Sequence, residues 1–371
     1  MLTTILTLVG LVWTLSTLSG AVKLVRLYLL TPSKLHRYVY HSSTSNSSVR
    51  DEKEQQKEPW AVVTGASDGI GRVLAQELAT AGLNVVLHGR NTTKLEKVQA
   101  ELKKAHPARS FRLLVADASL VRGATSLSTG AGSGGDHDKG QLLGLDVEAM
   151  TKKELDGLHI TVLVNNVGGG VKNPLMGDFL EYSPRQNAEA VSKESLFAMH
   201  LTHALLPQLR KNRPGGALII SVGSMADVGM PLTAMYSACK AFNKALFETL
   251  ALEDRLARID DRKGNGDERS NVEIMYVRLG DVTDVSWRRG AGTLTMPDSR
   301  TAARAILARV GCGKSVVTAY WTHELIRVST GALPDWLLER LLLSIMSGWR
   351  ASVERNGGDA SASIVGNGFF Q

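Results

Sequence analysis

The chain has 371 residues, 43% of them hydrophobic, enough for one large domain with a full core or two small ones. A formal charge of +7 suits an acidic partner such as a phosphorylated cofactor, an acyl-CoA or an anionic membrane surface; with no zinc-finger spacing, no aromatic RNA-binding motif and no long Lys/Arg block, it argues against a nucleic-acid binder. Two cysteines, Cys239 and Cys312, exclude a disulfide framework, and no Cys/His cluster has the spacing of metal ligands.

In chain order, Met1–Val22 carries no charged side chain. As a helix it would run ~33 Å at ~1.5 Å per residue, the thickness of a bilayer core. Lys23, Arg26, Lys34 and Arg37 follow it and no Lys or Arg precedes it, so the positive-inside rule reads residues 1–22 as a transmembrane anchor with the rest in the cytosol. A cleaved signal peptide would start with a basic stretch, which is missing. Residues 23–58 read as a basic juxtamembrane segment passing into a polar linker, Ser42–Glu58. The globular domain is expected to begin near Pro59 and to run to about residue 330.

Strands are predicted at Trp60–Thr64, Asn84–His88, Phe111–Val115, Thr161–Val164, Ala217–Val222 and Val272–Val277, with helices at Ile70–Ala81 and Thr92–Ala105. Short apolar runs alternating with helices indicate βαβ units: a single α/β domain with a Rossmann-type doubly wound parallel sheet, buried on both faces. The Gly/Ser-rich stretch at residues 121–140 reads as a disordered insertion. In residues 331–371 the apolar run Leu333–Trp349 is broken by Asp335, Glu339 and Arg340 and is too short to span a bilayer. It fits an interfacial helix with Trp336 and Trp349 at headgroup level, and equally a helix packed on the domain or on a partner subunit.

The first strand runs into Thr64-Gly-Ala-Ser-Asp-Gly-Ile-Gly71 and then a helix. Glycines at 65, 69 and 71 let backbone approach a pyrophosphate at the helix N-terminus. Their spacing is wider than the standard dinucleotide fingerprint, and the strand–turn–helix context is what gives the motif weight. At the end of the second strand, where a carboxylate would bind a ribose hydroxyl, stands His88-Gly-Arg-Asn91; Arg90 favours the 2′-phosphate of NADP(H). Asp68, inside the glycine turn, pulls the other way.

Tyr236 and Lys240 lie four residues apart, so on a helix they share a face. A phenol's ordinary pKa of about 10 is too high for proton exchange near neutrality, and a neighbouring ammonium lowers it. Ser224 closes an apolar strand 12 residues upstream, at the end where open α/β sheets bind ligands. His88, His200 and His203 read as structural or solvated, and Cys239 as packing.

This set, with Asp117 after the third strand and Asn165-Asn-Val-Gly168 after the fourth, resembles the short-chain dehydrogenase/reductase family over roughly residues 59–285. The N-terminal helix, Arg26–Leu35 and Tyr236-Ser-Ala-Cys-Lys-Ala-Phe242 resemble the very-long-chain 3-oxoacyl-CoA reductases and related 17β-hydroxysteroid dehydrogenases. The resemblance implies a catalytic Ser224, Tyr236 and Lys240. It also implies NADP(H) contacts from Gly65, Ser67, Gly69, Ile70, Gly71, Arg90, Asp117, Asn165, Tyr236, Lys240 and Val282, and no metal. It further implies a small lipophilic ketone as substrate, attachment to the endoplasmic reticulum membrane with the catalytic domain in the cytosol, and is compatible with a homo-oligomer.

Three departures stand out. The serine-to-tyrosine step is one residue short, and the usual step falls on Gly223. Glu194 stands where many members carry an asparagine that supports a proton-relay water near the lysine. The Pro-Gly turn after the sixth strand is Leu279-Gly280, with Thr283 offset by one. They leave two rivals open to an NADPH-dependent reductase that turns the ketone of a 3-oxoacyl-CoA or a ketosteroid into a secondary alcohol: a catalytically silent NADPH-binding membrane protein, and a tailoring ketoreductase of secondary metabolism. The substrate pocket is expected between residues 169–195 and 280–299.

Overall fold

The computed structural model describes residues 2–40, 57–121, 144–169, 176–212, 215–262, 271–286 and 288–355. The expected insertion at residues 121–140 lies outside them apart from Val121, as does most of the expected linker. Seven strands form one parallel sheet in the order β3-β2-β1-β4-β5-β6-β7. They are β1 Pro59–Val63, β2 Asn84–Gly89, β3 Phe111–Val115, β4 His159–Asn165, β5 Ala217–Val222, β6 Val272–Arg278 and β7 Val316–Thr318. The helices are α1 Leu2–Val25, α2 Gly69–Thr80, α3 Thr92–Ala105, α4 Val147–Leu155, α5 Pro184–Val191, α6 Phe197–Lys211, α7 Ala234–Arg262, α8 Ser299–Ala308, α9 Trp321–Gly331 and α10 Asp335–Arg355.

The continuous apolar runs in the strands follow from burial on both faces. Ala61, Val63, Val85, Leu87, Val162, Val164, Leu218 and Ile220 point into one core, against Leu74 and Leu78 of α2, Leu95 of α3 and Ile306 of α8. Their alternate neighbours Val62, Val86, Leu163 and Ile219 point into a second core, against α4, Phe197 and Leu201 of α6 and Phe247 of α7. The strand order reverses between β1 and β4, which opens a crevice at the carboxyl ends of the strands.

The expected boundary at Pro59 is displaced. Leu27 and Tyr38 are buried in the first core, with Tyr28, Leu35 and Val39 packed against it. The Tyr38 hydroxyl donates to the Glu273 carboxylate at 2.6 Å, Tyr28 to the Thr318 carbonyl at 2.7 Å and Ser33 to the Leu307 carbonyl at 2.6 Å. The stretch that read as juxtamembrane tether therefore packs on the domain from β7 across the amino ends of β6, β5 and β4, where Tyr40 donates to the Gly216 carbonyl and Thr161 to the Tyr38 carbonyl. Of α1, the described side chains Leu8, Leu11, Val12, Leu15, Leu18 and Val22 are exposed. Among the described residues, no helix is long and apolar enough to cross a membrane.

Candidate active site

The cavity at the carboxyl ends of the strands has a volume of about 820 Å³. Its polar floor starts at the glycine turn. Gly65 and Gly69 sit at φ +68° and +53°, backbone that a side chain strains. A Cβ on Gly71 would lie 2.2 Å from the Gly65 carbonyl oxygen, so only glycine lets α2 start so close to β1. Thr64 binds this turn to the end of β4: its hydroxyl accepts from the Asn166 and Val167 amides at 2.8 and 3.0 Å. Ser67, Gly69, Ile70, Arg90, Asp117 and Val282 all line the cavity. Asn165 does not stand among them: it is buried, its amide donating to the Thr202 hydroxyl at 2.9 Å between β4 and α6, and Asn166 faces the cavity instead.

Arg90 is largely exposed and stands 3.7 Å from Asp117 across the ends of β2 and β3. Asp68 caps α2, accepting from the Gly69 amide at 2.8 Å, and pairs with Arg289 at 2.6 Å. Partial burial pushes its carboxyl up, but the bonds from Arg289 and Gly69 outweigh that and hold it below the usual carboxylate range. Its charge is thus balanced by Arg289. Nothing in the sequence pairs two residues 221 positions apart. Burial drops the His88 imidazole to about 4, so it is a neutral ring stacked on Phe197, with centroids 4.6 Å apart.

Ser224, Tyr236 and Lys240 come together. The end of β5 carries Ser224, which lines the cavity with Tyr236 and whose side chain accepts from the Ala226 amide at 3.1 Å. The first turns of α7 carry the other two, with the Lys240 ammonium 5.3 Å from the Tyr236 ring centroid. The short serine-to-tyrosine step has a physical cause. A Cβ on Gly223 would meet the Tyr276 ring at 2.1 Å. Tyr276 fills that place and stitches the site, accepting from the Ser224 amide at 3.2 Å and donating to the Lys240 carbonyl at 3.1 Å.

Glu194 lies on a π-helical turn, Ser192–Leu196, between α5 and α6. Its carboxylate is fully buried, 3.2 Å from the Lys240 ammonium and 3.6 Å from that of Lys193. Burial alone would lower Lys240; the charges of Glu194 and Tyr236 overcome it and hold the ammonium above its ordinary value. Tyr236 is raised by burial, pulled back by Lys240, and raised again by Glu194.

The turn after β6 is clamped by His323 of α9, whose Nδ1 accepts from the Gly280 amide at 3.0 Å and whose Nε2 meets the Thr295 carbonyl at 3.1 Å. Beyond it the buried Arg288 stands 3.6 Å from Asp281 and under the Trp349 ring of α10. The far wall of the cavity is apolar: Leu338, Leu341, Leu342, Ile345, Met346 and Trp349, all from α10. The C-terminal helix therefore packs on its own domain, with Met346 buried and Trp336 exposed.

A strand–glycine-turn–helix beside a Ser-Tyr-Lys constellation is matched by a family model. The short chain dehydrogenase model covers residues 59–129 and 146–260. This chain belongs to the short-chain dehydrogenase family. It is an oxidoreductase of that family, similar to the very-long-chain 3-oxoacyl-CoA reductases. Its relatives include a very-long-chain 3-oxoacyl-CoA reductase of Coprinopsis cinerea, 31% identical over 73% of this chain and 71% of that one. The Homo sapiens very-long-chain 3-oxoacyl-CoA reductase is 28% identical, covering 79% and 81%. A reductase-like protein of Arabidopsis thaliana is 28% identical, covering 86% and 85%. Among solved structures, a 7β-hydroxysteroid dehydrogenase superposes with a TM-score of 0.58 at 16% identity, over 77% of this chain and 97% of that one. A short-chain dehydrogenase from Sphingobium yanoikuyae, in complex with NADPH, does so at 0.52 and 19%, over 75% and 97%. These two likenesses establish the shared fold.

Proposed function

We propose that this enzyme uses NADPH to reduce the ketone of a 3-oxoacyl-CoA to a secondary alcohol at a membrane. The observation that carries the reading is the joining of one polar floor, Ser224, Tyr236 and Lys240, to an 820 Å³ cavity whose far wall is the apolar face of α10. Such a cavity suits an acyl chain beside a reacting carbonyl.

The residues fit a dinucleotide. Three glycines clear backbone at the α2 N-terminus for a pyrophosphate, and Arg90 stands at the end of β2 for a 2′-phosphate. When bound, NADPH supplies hydride to the carbonyl carbon. Tyr236 donates the proton to the developing alkoxide, Ser224 hydrogen-bonds the same oxygen, and Lys240 sets the charge beside the phenol and holds the nicotinamide ribose. Arg90→Ala is expected to weaken NADPH by roughly 1.5 kcal/mol, the low end for one charged contact because the guanidinium is largely exposed, and to leave NADH unchanged. Titration of each cofactor by fluorescence checks this; equal loss for both, or wild-type protein that turns over both cofactors equally, overturns it.

Membrane attachment through α1 is part of the same reading. The helix runs ~36 Å at ~1.5 Å per residue and exposes a row of leucines and valines. Five further residues whose side chains lie outside the described ones, Leu2, Ile5, Leu6, Val9 and Trp13, are apolar in sequence. The basic residues after it favour a cytosolic domain, at the endoplasmic reticulum membrane as the family resemblance implies. Salt-washed membranes carrying the chain are expected to oxidise NADPH with 3-oxoacyl-CoAs faster than with ketosteroids, with the domain open to protease from the cytosolic side. A processed, soluble lumenal protein, or preference for the steroid, overturns the corresponding half of the proposal.

A further inference from the structure

Glu194 is the side chain for which the family pattern has no use. It meets Lys240 at 3.2 Å with its own carboxylate fully buried and the lysine side chain 6% exposed. The position is built, not accidental. Asn243 of α7 donates its amide to the Glu194 carbonyl at 2.6 Å, and the Ser195 hydroxyl donates to the Cys239 carbonyl at 3.3 Å, so the π-helical turn is tied to the helix that carries the catalytic pair. A Cβ on Gly168 would sit 2.8 Å from the Glu194 carboxylate and 3.3 Å from the Lys240 ammonium, so the absence of a side chain there leaves the space the pair occupies.

Among the described residues, the groups facing Tyr236 come from several elements. On α7 there is Lys240. The π-helical turn brings Glu194, with Lys193 at its rim, 24% exposed. After β6 there is Asp281, already opposite Arg288 at 3.6 Å. Tyr276 of β6 is a buried phenol bonded to backbone, raised by its own burial. Asp227, after β5, is held by Arg278 at 2.6 Å. His323 of α9 is spent on Gly280 and Thr295. The acidic partners of Arg288 and Arg278 are therefore locally compensated. The charge that decides the field at the Tyr236 hydroxyl is Lys240, and the buried carboxylate beside it cancels much of that field.

We propose that Glu194 is a positioning residue that holds Lys240 as half of a buried neutral pair and so keeps Tyr236 a protonated, proton-donating phenol through and beyond the neutral range. The role rests on the reading of the site as a ketone reductase. An asparagine at this place would leave the ammonium's field undiminished; the carboxylate trades that field for a phenol that stays loaded. The device works through Lys240, with no contact to substrate required. It also differs from a purely structural pair, whose loss would slow the enzyme equally at every pH.

The test has an arm that needs no turnover. Protein labelled at the tyrosine ζ-carbon is titrated by NMR, with the Tyr236 signal identified by its loss in Tyr236→Phe. In the wild type Tyr236 is expected to titrate above an ordinary phenol, and in Glu194→Gln at least one pH unit lower than in the wild type. Glu194→Asn serves where the glutamine variant does not fold. In kinetics, the alkaline limb of ketone reduction and the acid limb of alcohol oxidation should both move down by at least one unit. At pH values above both midpoints the variant's reduction rate relative to pH 6 should fall roughly tenfold further than the wild type's. A wild-type Tyr236 titrating near neutrality, or the same midpoint in wild type and both variants, overturns the proposal. Wild-type protein that reduces no ketone while the midpoint still shifts leaves the Glu194–Tyr236 coupling standing and overturns the functional reading alone.

Discussion

Tyr236→Phe is expected to fold normally, to bind NADPH, and to lose at least ~100-fold in turnover, the lower range for removal of a general acid. The substitution deletes one hydroxyl at the cavity floor. The ring, with the Lys240 ammonium 5.3 Å from its centroid, stays in place, and so does the ion pair between Lys240 and Glu194. No buried charge loses its partner, so melting temperature should hold while rate collapses. Ser224→Ala gives a different signature. Its side chain lines the same cavity as Tyr236 and also caps the short helix Met225–Val228, accepting from the Ala226 amide. A comparable ~100-fold loss of turnover should therefore come with a stability loss of ~0.5–2 kcal/mol, the ordinary cost of losing a cap. Calorimetry and single-turnover kinetics on the two variants separate the roles. A folded Tyr236→Phe with near-normal turnover would mean that another group supplies the proton, and the acid would have to be sought afresh.

Much of this site was legible in the sequence because its residues lie at the ends of strands whose apolar runs were themselves legible. Thr92–Ala105, Phe111–Val115 and Ala217–Val222 come out residue for residue, and the other predicted strands within a residue or two at either end. The glycine turn, Ser224 and the Tyr236/Lys240 pair follow from those strands by local geometry alone. What stayed hidden depends on contacts between distant positions. Tyr38 reaches Glu273 across 235 positions, and that bond ties an apparent tether to the sheet. Tyr276 sits in a strand whose pattern marks it only as apolar, yet its ring is what excludes a side chain at Gly223 and moves the serine to 224. Asn165 read as a cofactor contact from its place in a motif; the pleat turns it inward to Thr202 and presents Asn166 instead. Strand β7, three residues long, is too short to carry a period. The amphipathic ambiguity of α10 was real: one face lines the cavity and another leaves Trp336 and Leu343 exposed.

Lys240→Met should damage the enzyme twice, and the two injuries can be separated. The first is catalytic. Without the ammonium the largest influence opposing the burial of the Tyr236 phenol is gone, and the ribose loses its proposed anchor, so turnover and NADPH affinity are both expected to fall. The second is structural. Methionine fills the space of the lysine stem but takes the nearer ammonium from the fully buried Glu194 carboxylate and leaves Lys193, 3.6 Å away and partly in solvent. Breaking a buried pair from one side typically costs 3–5 kcal/mol, and Lys193 puts this case near the lower end, ~3 kcal/mol. For a domain of this size that is a melting temperature lower by ~6–12 °C. Adding Glu194→Gln removes the stranded charge. The double variant is therefore expected to regain most of the lost melting temperature and none of the lost turnover, since the amide relieves the desolvation but cannot replace the ammonium. If Lys240→Met alone melts like the wild type, the pair contributes little to the fold. If the double variant recovers turnover as well, Lys240 acts through Glu194 rather than on Tyr236, and the assignment of the lysine is wrong.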